Sequence, residues 1–161
     1  LYEKQYNIEE VSQTILQNQF SCFFIVTGPE NLPPAQLVAA LETGTSFGLF
    51  FHVREFSTAA PAGEAPASEP YVIVTRGPDR KGLVARITAV FAAFGVNVGQ
   101  LRAVFRGGDE PGNNTMIYEV DIPLSVDQKE LRKSLSDQAR ELNLEITIQH
   151  RNIFEAMNRV L

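Results

Sequence analysis

The chemistry in this chain gathers in one stretch, residues 72–91: Val-Ile-Val-Thr-Arg-Gly-Pro-Asp-Arg-Lys-Gly-Leu-Val-Ala-Arg-Ile-Thr-Ala-Val-Phe. It reads as a buried strand, a turn bracketed by Gly77 and Gly82, and an amphipathic helix. A helix start leaves its first backbone N–H groups without partners inside the helix, and the macrodipole adds partial positive charge there. Glycine lets another group approach the backbone closely. Gly82, Leu83 and Val84 therefore form a candidate cradle for a small carboxylate. Arg80 and Lys81 would attract an anion, although exposed turn cations are mostly just solvated.

No other constellation offers comparable chemistry. His52 and His150 are the two histidines, and they stand alone in apolar strand-like runs. No Ser/His/Asp order, paired-carboxylate motif or metal-ligand spacing is present, so no catalytic residue and no metal or cofactor site is expected. The run Gly-Gly-Asp-Glu-Pro-Gly at 107–112 lacks the lysine and following Ser/Thr of a phosphate loop and reads as a hairpin tip. The single cysteine, Cys22, lies in an apolar run and reads as a small buried hydrophobe. Cysteine poverty fits a reducing compartment, and a cytoplasmic location is expected.

Composition narrows the class. With 161 residues and 44% hydrophobic content the chain can form one medium domain or two small ones with real cores. Lys and Arg number 14 against 19 Asp and Glu, a formal net charge of -5. That balance disfavours a protein built to neutralise a phosphate backbone. No apolar run approaches the roughly 20 residues needed to span a bilayer.

The elements that would hold the turn are regular. Residues 57–70, rich in Pro, Ala and Ser and without large apolar residues until Tyr71, read as a linker. It separates a first unit, 1–56, from a second, 71–161. In the second, 71–75 is a β-branched strand. Leu83, Val84, Ile87, Val90, Phe91 and Phe94 recur at helical spacing, with Gly95 as a stop. The strand at 96–106 changes phase near Gly99, which predicts a bulge there. Residues 107–114 form a polar connection. Residues 115–122 alternate, with Met116, Tyr118, Val120 and Ile122 on one face. Ser125 and Gln128 fit a capping box for a helix carrying Leu131, Leu135, Ala139 and Leu142. Leu144, Ile146 and Ile148 alternate in a last strand, and 152–161 reads as a terminal helix.

The order is βαββαβ, and the first unit repeats most of it. Residues 6–11 mirror 96–101, 20–27 mirror 115–122, 33–41 mirror 126–134, and 47–53 mirror 142–148. The predicted class is α+β, with two ferredoxin-like units. The first lacks its opening strand and most of its first helix. In the interleaved sheet the opening strand sits beside the third and fourth, so about another twenty residues before Leu1 are expected from laying one repeat on the other.

At Gly77-Pro-Asp-Arg-Lys-Gly-Leu-Val84, followed by Gly95-Val-Asn-Val98, the chain resembles the ACT domain, a small ligand-binding regulatory module. Its ending, 148–159, looks like that of the tandem ACT proteins near the glycine-cleavage-system transcriptional repressors. The resemblance implies regulation through amino-acid binding or assembly, without catalysis, in a cytoplasmic regulator of transcription or metabolism. A ligand of the glycine or serine class would place its carboxylate at Gly82–Leu83–Val84. Asp79 would meet the ammonium or cap the helix. Asn97, expected beside the turn, would offer a donor and an acceptor or serve its own strand; Asn7 is its counterpart in the first repeat.

The strand at 20–27 is apolar on both faces, which predicts pairing of units or chains into a homo-oligomer, or ordinary core packing. An interaction module without ligand is the second reading. RNA recognition shares the βαββαβ order, and Tyr118 lies on the central strand, but no aromatic-glycine-aromatic signature surrounds it. Direct nucleic-acid binding is disfavoured. An acylphosphatase-like reading rests on Arg76 and Arg80 alone, without the surrounding motif.

Overall fold

The computed structural model describes residues 1–29, 33–45, 48–55, 66–105 and 114–158. The chain divides into two units, Leu1–Ala62 and Gly63–Leu161. The hairpin tip expected at 107–112, most of the linker and the last three residues lie outside the described residues.

In the first unit a 3-10 turn at Tyr2–Lys4 precedes an antiparallel pair, β1 (Asn7–Leu16) and β2 (Gln19–Thr27), and α1 (Pro34–Thr43) follows. Gln17 and Asn18, with φ of 47° and 64°, form the two-residue turn whose twist suits a hairpin. The register shifts between Ile8 and Glu10, which leaves Glu9 as an extra residue. Most side chains of this hairpin are exposed, Phe23 at 77%; only Cys22 and Val26 are half-buried. Leu37 is the buried residue of α1.

The strand expected at 49–53 does not form. The second unit supplies the reason, because there the equivalent strand pairs only with the opening strand. The first unit as described has no such strand, so residues 49–53 have no ladder to join.

The second unit contains β3 (Ser68–Gly77), α2 (Leu83–Ala93), β4 (Asn97–Phe105), β5 (Asn114–Pro123), α3 (Gln128–Glu141), β6 (Glu145–His150) and α4 (Arg151–Asn158). Its sheet runs β4-β5-β3-β6 with every neighbour antiparallel. This is the interleaved βαββαβ arrangement of a ferredoxin-like α+β fold. β3 opens earlier than its apolar run implies: Ser68, Glu69 and Pro70, expected as linker, pair with Pro123, Ile122 and Asp121. Pro70 is tolerated because the ladder to β6 begins only at Tyr71.

The core follows the two periods. Leu83, Ile87 and Phe91 recur every four residues along the buried stripe of α2, as do Leu131, Leu135 and Ala139 along α3. They close on Ile73 and on the alternating Met116, Tyr118, Val120 and Ile122 of β5. Burying each large apolar side chain contributes about 1.5–3 kcal/mol. Phe91 and Tyr118 meet edge to face, ring centroids 5.5 Å apart. α2 ends as Gly95 predicts: Gly95 N–H bonds Ala92 O at 3.1 Å and Val96 N–H bonds Phe91 O at 2.9 Å, the paired bonds of a Schellman stop. The bulge falls at Gly99, between Val98 and Gln100. α4 packs against β3 and β6. Its Arg151 Nη2 lies 4.0 Å from Glu119, beside Val72, on the sheet face opposite α2 and α3. Val72 on that face is also buried.

One cap differs from expectation. The N-cap of α3 is Asp127, whose Oδ1 accepts from Lys129 N at 2.8 Å and Glu130 N at 3.2 Å. Ser125 plays no such part because the chain is still turning there, with Val126 N–H bonded to Pro123 O. Gln128 accepts from the Tyr71 hydroxyl at 3.2 Å.

Tyr118 is fully buried, and its hydroxyl donates to Met116 Sδ at 3.4 Å. Burial raises its pKa above the usual 10, and a bond with Thr75 opposes that in part. The folded chain thus keeps a proton that the unfolded chain releases above about pH 10. Stability from this group is full below pH 10 and falls as pH rises beyond it. Denaturant melts of Tyr118→Phe are expected to lose part of that alkaline slope; an unchanged slope would refute the assignment.

Candidate functional site

The turn between β3 and α2 is built from both ends. Gly77 closes β3 opposite Asn114. A Cβ there would fall 2.7 Å from Leu144 Cδ2 and 2.8 Å from Asn143 O, so the chain leaves the sheet against the α3–β6 connection with no room for a side chain. Gly82 is the N-cap of α2, with φ 87° and no side-chain cap. Glycine adopts that left-handed conformation without strain, and the leading N–H groups of the helix have no side-chain cap. No acidic residue lies in this first turn, so the dipole is not offset locally. Leu83 anchors the start in the core, Val84 is half-buried, and Ala85 is exposed.

The other expected site residues divide. Arg80 and Lys81 are exposed beside the cradle. Asp79 does not cap the helix; its Oδ1 accepts from Asn114 Nδ2 at 3.3 Å. Asn97 is not beside the turn. β4 runs parallel to β3 after an intervening helix, so its first residue lies at the far end of α2, about 16 Å from Gly82 at roughly 1.5 Å per residue. There Asn97 donates to Asp121 at 3.5 Å, and its partner in register is that same residue. Asn7 likewise opens β1 and bonds Glu9 at 2.8 Å.

Asn114 is the residue that sequence reading missed. It is 5% exposed, and its Oδ1 is closed to solvent without a hydrogen-bond partner. A signal was present: Asn114 continues the buried phase of Met116, Tyr118, Val120 and Ile122 with a polar residue.

Other groups carry no such arrangement. His150 stacks edge-on against Tyr71 with centroids 5.3 Å apart, and its Nδ1 accepts from Asn152 N. Tyr118 faces the helices at 0% exposure, so it offers no platform for a base. Among the described residues no group of His, Cys, Asp and Glu is placed to hold a metal ion. No described helix is long and apolar enough to cross a membrane.

The fold is that of a ferredoxin-like module whose α2 starts at an uncapped glycine. The model of the ACT domain matches residues 69–149, from the start of β3 almost to the end of β6, and the chain belongs to that family. It is 30% identical over 94 residues to a UPF0237 protein of Methanosarcina acetivorans, a match covering 58% of this chain and 98% of the relative. A UPF0237 protein of Methanococcus maripaludis is 36% identical over 93 residues, covering 57% of this chain and 99% of the relative. Among solved structures, an unknown protein from Galdieria sulphuraria superposes with a TM-score of 0.72 at 22% identity, over 92% of this chain and 84% of that one. A proposed glycine cleavage system transcriptional repressor superposes at 0.51 with 11% identity, over 89% and 80%. At those identities the likeness is one of fold, and both matches extend across most of the two-unit chain.

Proposed function

We propose that this protein is a non-catalytic cytoplasmic regulator that senses a small amino acid, of the glycine or serine class, at the start of α2. Carboxylate binding at Gly82, Leu83 and Val84 would favour one arrangement of an assembly or one partner contact, through differential affinity for the two states. The observation that carries this reading is the uncapped start of an 11-residue helix at a positive-φ glycine, with no acidic residue in its first turn. Membership in the ACT family and likeness in fold to a proposed transcriptional repressor support the regulatory part. Asp79, Arg80 and the three cradle residues belong to the proposed site; Asn97 does not.

A thermal-shift panel of amino acids is the direct test. A ligand at 100 times its Kd adds about 2.7 kcal/mol to the folded state. For a domain of this size that is on the order of 10 °C or more. Ala85→Glu places a carboxylate over the same N–H groups; it is expected to stabilise α2 by about 0.3–1 kcal/mol and to abolish the ligand shift. No shift in the parent with any amino acid at millimolar concentration would sink the sensor reading.

That outcome would favour the second reading, a module that acts by assembly alone. Its support is exposed apolar surface: Phe20, Phe23 and Phe24 on β2, and Leu101 and Val104 on the edge strand β4. These surfaces suit homo-oligomerisation or a protein partner through the sheet.

A further inference from the structure

We propose that Asn114 sets the ligand class of the α2 site: its side-chain carbonyl takes the ammonium of an α-amino acid whose carboxylate sits on the helix start. The amino acid would then be chosen over the same acid lacking its amino group. The proposal rests on the helix-start reading above and adds to it a residue from another strand.

Position comes first. Asn114 faces the helix-covered side of the sheet, in phase with Met116 and Tyr118, and it lies opposite Gly77, where the chain departs for the turn. It therefore stands at the end of the sheet where α2 begins. Its orientation is fixed by chemistry. An ionised carboxylate only accepts, so Nδ2 must face Asp79 Oδ1 at 3.3 Å and Oδ1 must face away. Asn114 is 5% exposed, and that Oδ1 has no partner. A buried acceptor left unmade is costly, and such groups persist where something else uses them.

The two halves are complementary in kind. The helix start supplies donors only, which match a carboxylate. Asn114 Oδ1 and the adjoining Asp79 carboxylate supply acceptors only, which match an ammonium. A zwitterion satisfies both halves, whereas a simple anion satisfies one and leaves the carbonyl orphaned. Because Oδ1 is closed to water, the ammonium reaches it by displacing part of its cover.

The test pairs each amino acid with its hydroxy acid: glycine with glycolate, L-alanine with L-lactate, L-serine with L-glycerate. Binding is measured by calorimetry on the whole chain, with Asn114→Leu, Asn114→Ala and Ala85→Glu checked for folding by circular dichroism. The parent is expected to bind at least one amino acid about 10-fold or more tightly than its hydroxy acid. Both Asn114 variants lose about that factor for the amino acid and the preference with it, while Ala85→Glu loses both ligands. Equal binding of the two acids by the parent overturns the proposal, and this arm needs no variant. Retained affinity and preference in the Asn114 variants, with binding abolished by Ala85→Glu, also overturns it but leaves the helix-start site standing. Unchanged binding in Ala85→Glu, or none in the parent, removes both.

Discussion

Residues 66–161 expressed alone are expected to melt in one cooperative transition, and residues 1–62 alone in none. The second unit holds a closed core: Ile73, Ile87, Tyr118, Val120 and Leu135 are each 0% exposed, drawn from a four-stranded sheet and two helices. Relatives of about that length exist, since proteins matched over 98% and 99% of their length align with little more than half of this chain. The first unit offers a two-stranded sheet, and Leu37 is its one buried hydrophobic among the described residues. A lone hairpin is marginal in water; three strands or a packed helix face are needed for independent stability. Scanning calorimetry of the two fragments checks this, with loss of the transition as the readout for 1–62. A sharp melt from residues 1–62 would show that its exposed apolar side chains find a core of their own.

The hairpin is nonetheless the same element as β4–β5, and the registers demonstrate it. Asn7 pairs with Thr27 and Val11 with Phe24; Asn97 pairs with Asp121 and Leu101 with Tyr118. The bulges fall at Glu9 and Gly99, equivalent positions in the repeat. These pairs equate Phe24 with Tyr118 and Phe20 with Asn114, one residue away from the alignment 20–27 on 115–122. A slip of one residue exchanges the faces of a strand. With the observed register, Cys22 and Val26 take the places of Met116 and Val120, and they are the half-buried residues of β2. The half-buried side of the hairpin is thus the side that the helices cover in the second unit.

What could be read from the sequence was what depends on local period. The alternation of β5, the stripes of α2 and α3, the stop at Gly95 and the bulge at Gly99 all follow from spacing within one element. What could not be read depended on direction and on long-range pairing. Asn97 is close in sequence to the end of α2, and the helix carries it away from Gly82 because a strand that follows a helix starts at that helix's far end. Residues 49–53 are a strand-like apolar run, but a strand needs a partner as well as a pattern, and pairing is not encoded within the segment. The cap of α3 turned on where the chain finished its turn after Pro123, which moved the helix start from Ser125 to Asp127. Asn114 was overlooked because it borders a glycine-rich connection and carries no motif; only its phase along β5 marks it.

The two glycines that bracket the turn are expected to respond differently to the same methyl group. Gly77→Ala puts a Cβ within 2.8 Å of a backbone oxygen, Asn143 O, and 3.3 Å from Leu144 Cα, besides the 2.7 Å contact with Leu144 Cδ2. A side-chain tip can swing aside, but backbone cannot, so β3 and the α3–β6 connection must part. Overpacking of this kind costs about 1–3 kcal/mol, or roughly 5–20 °C for a domain near 100 residues. Gly82→Ala meets nothing within 4 Å, and its penalty is the strain of φ 87° alone, about 1–2 kcal/mol. The proposed ligand site separates them further. Gly77 is the register partner of Asn114, so its displacement disturbs the Asn114–Asp79 bond from the sheet side. Gly82 perturbs only the N–H groups of the helix start. Thermal melts of both variants, with and without amino acid, read the two effects at once. A larger loss of stability from Gly82→Ala than from Gly77→Ala would mean that the helix cap, rather than the close approach at the end of β3, holds the turn in place.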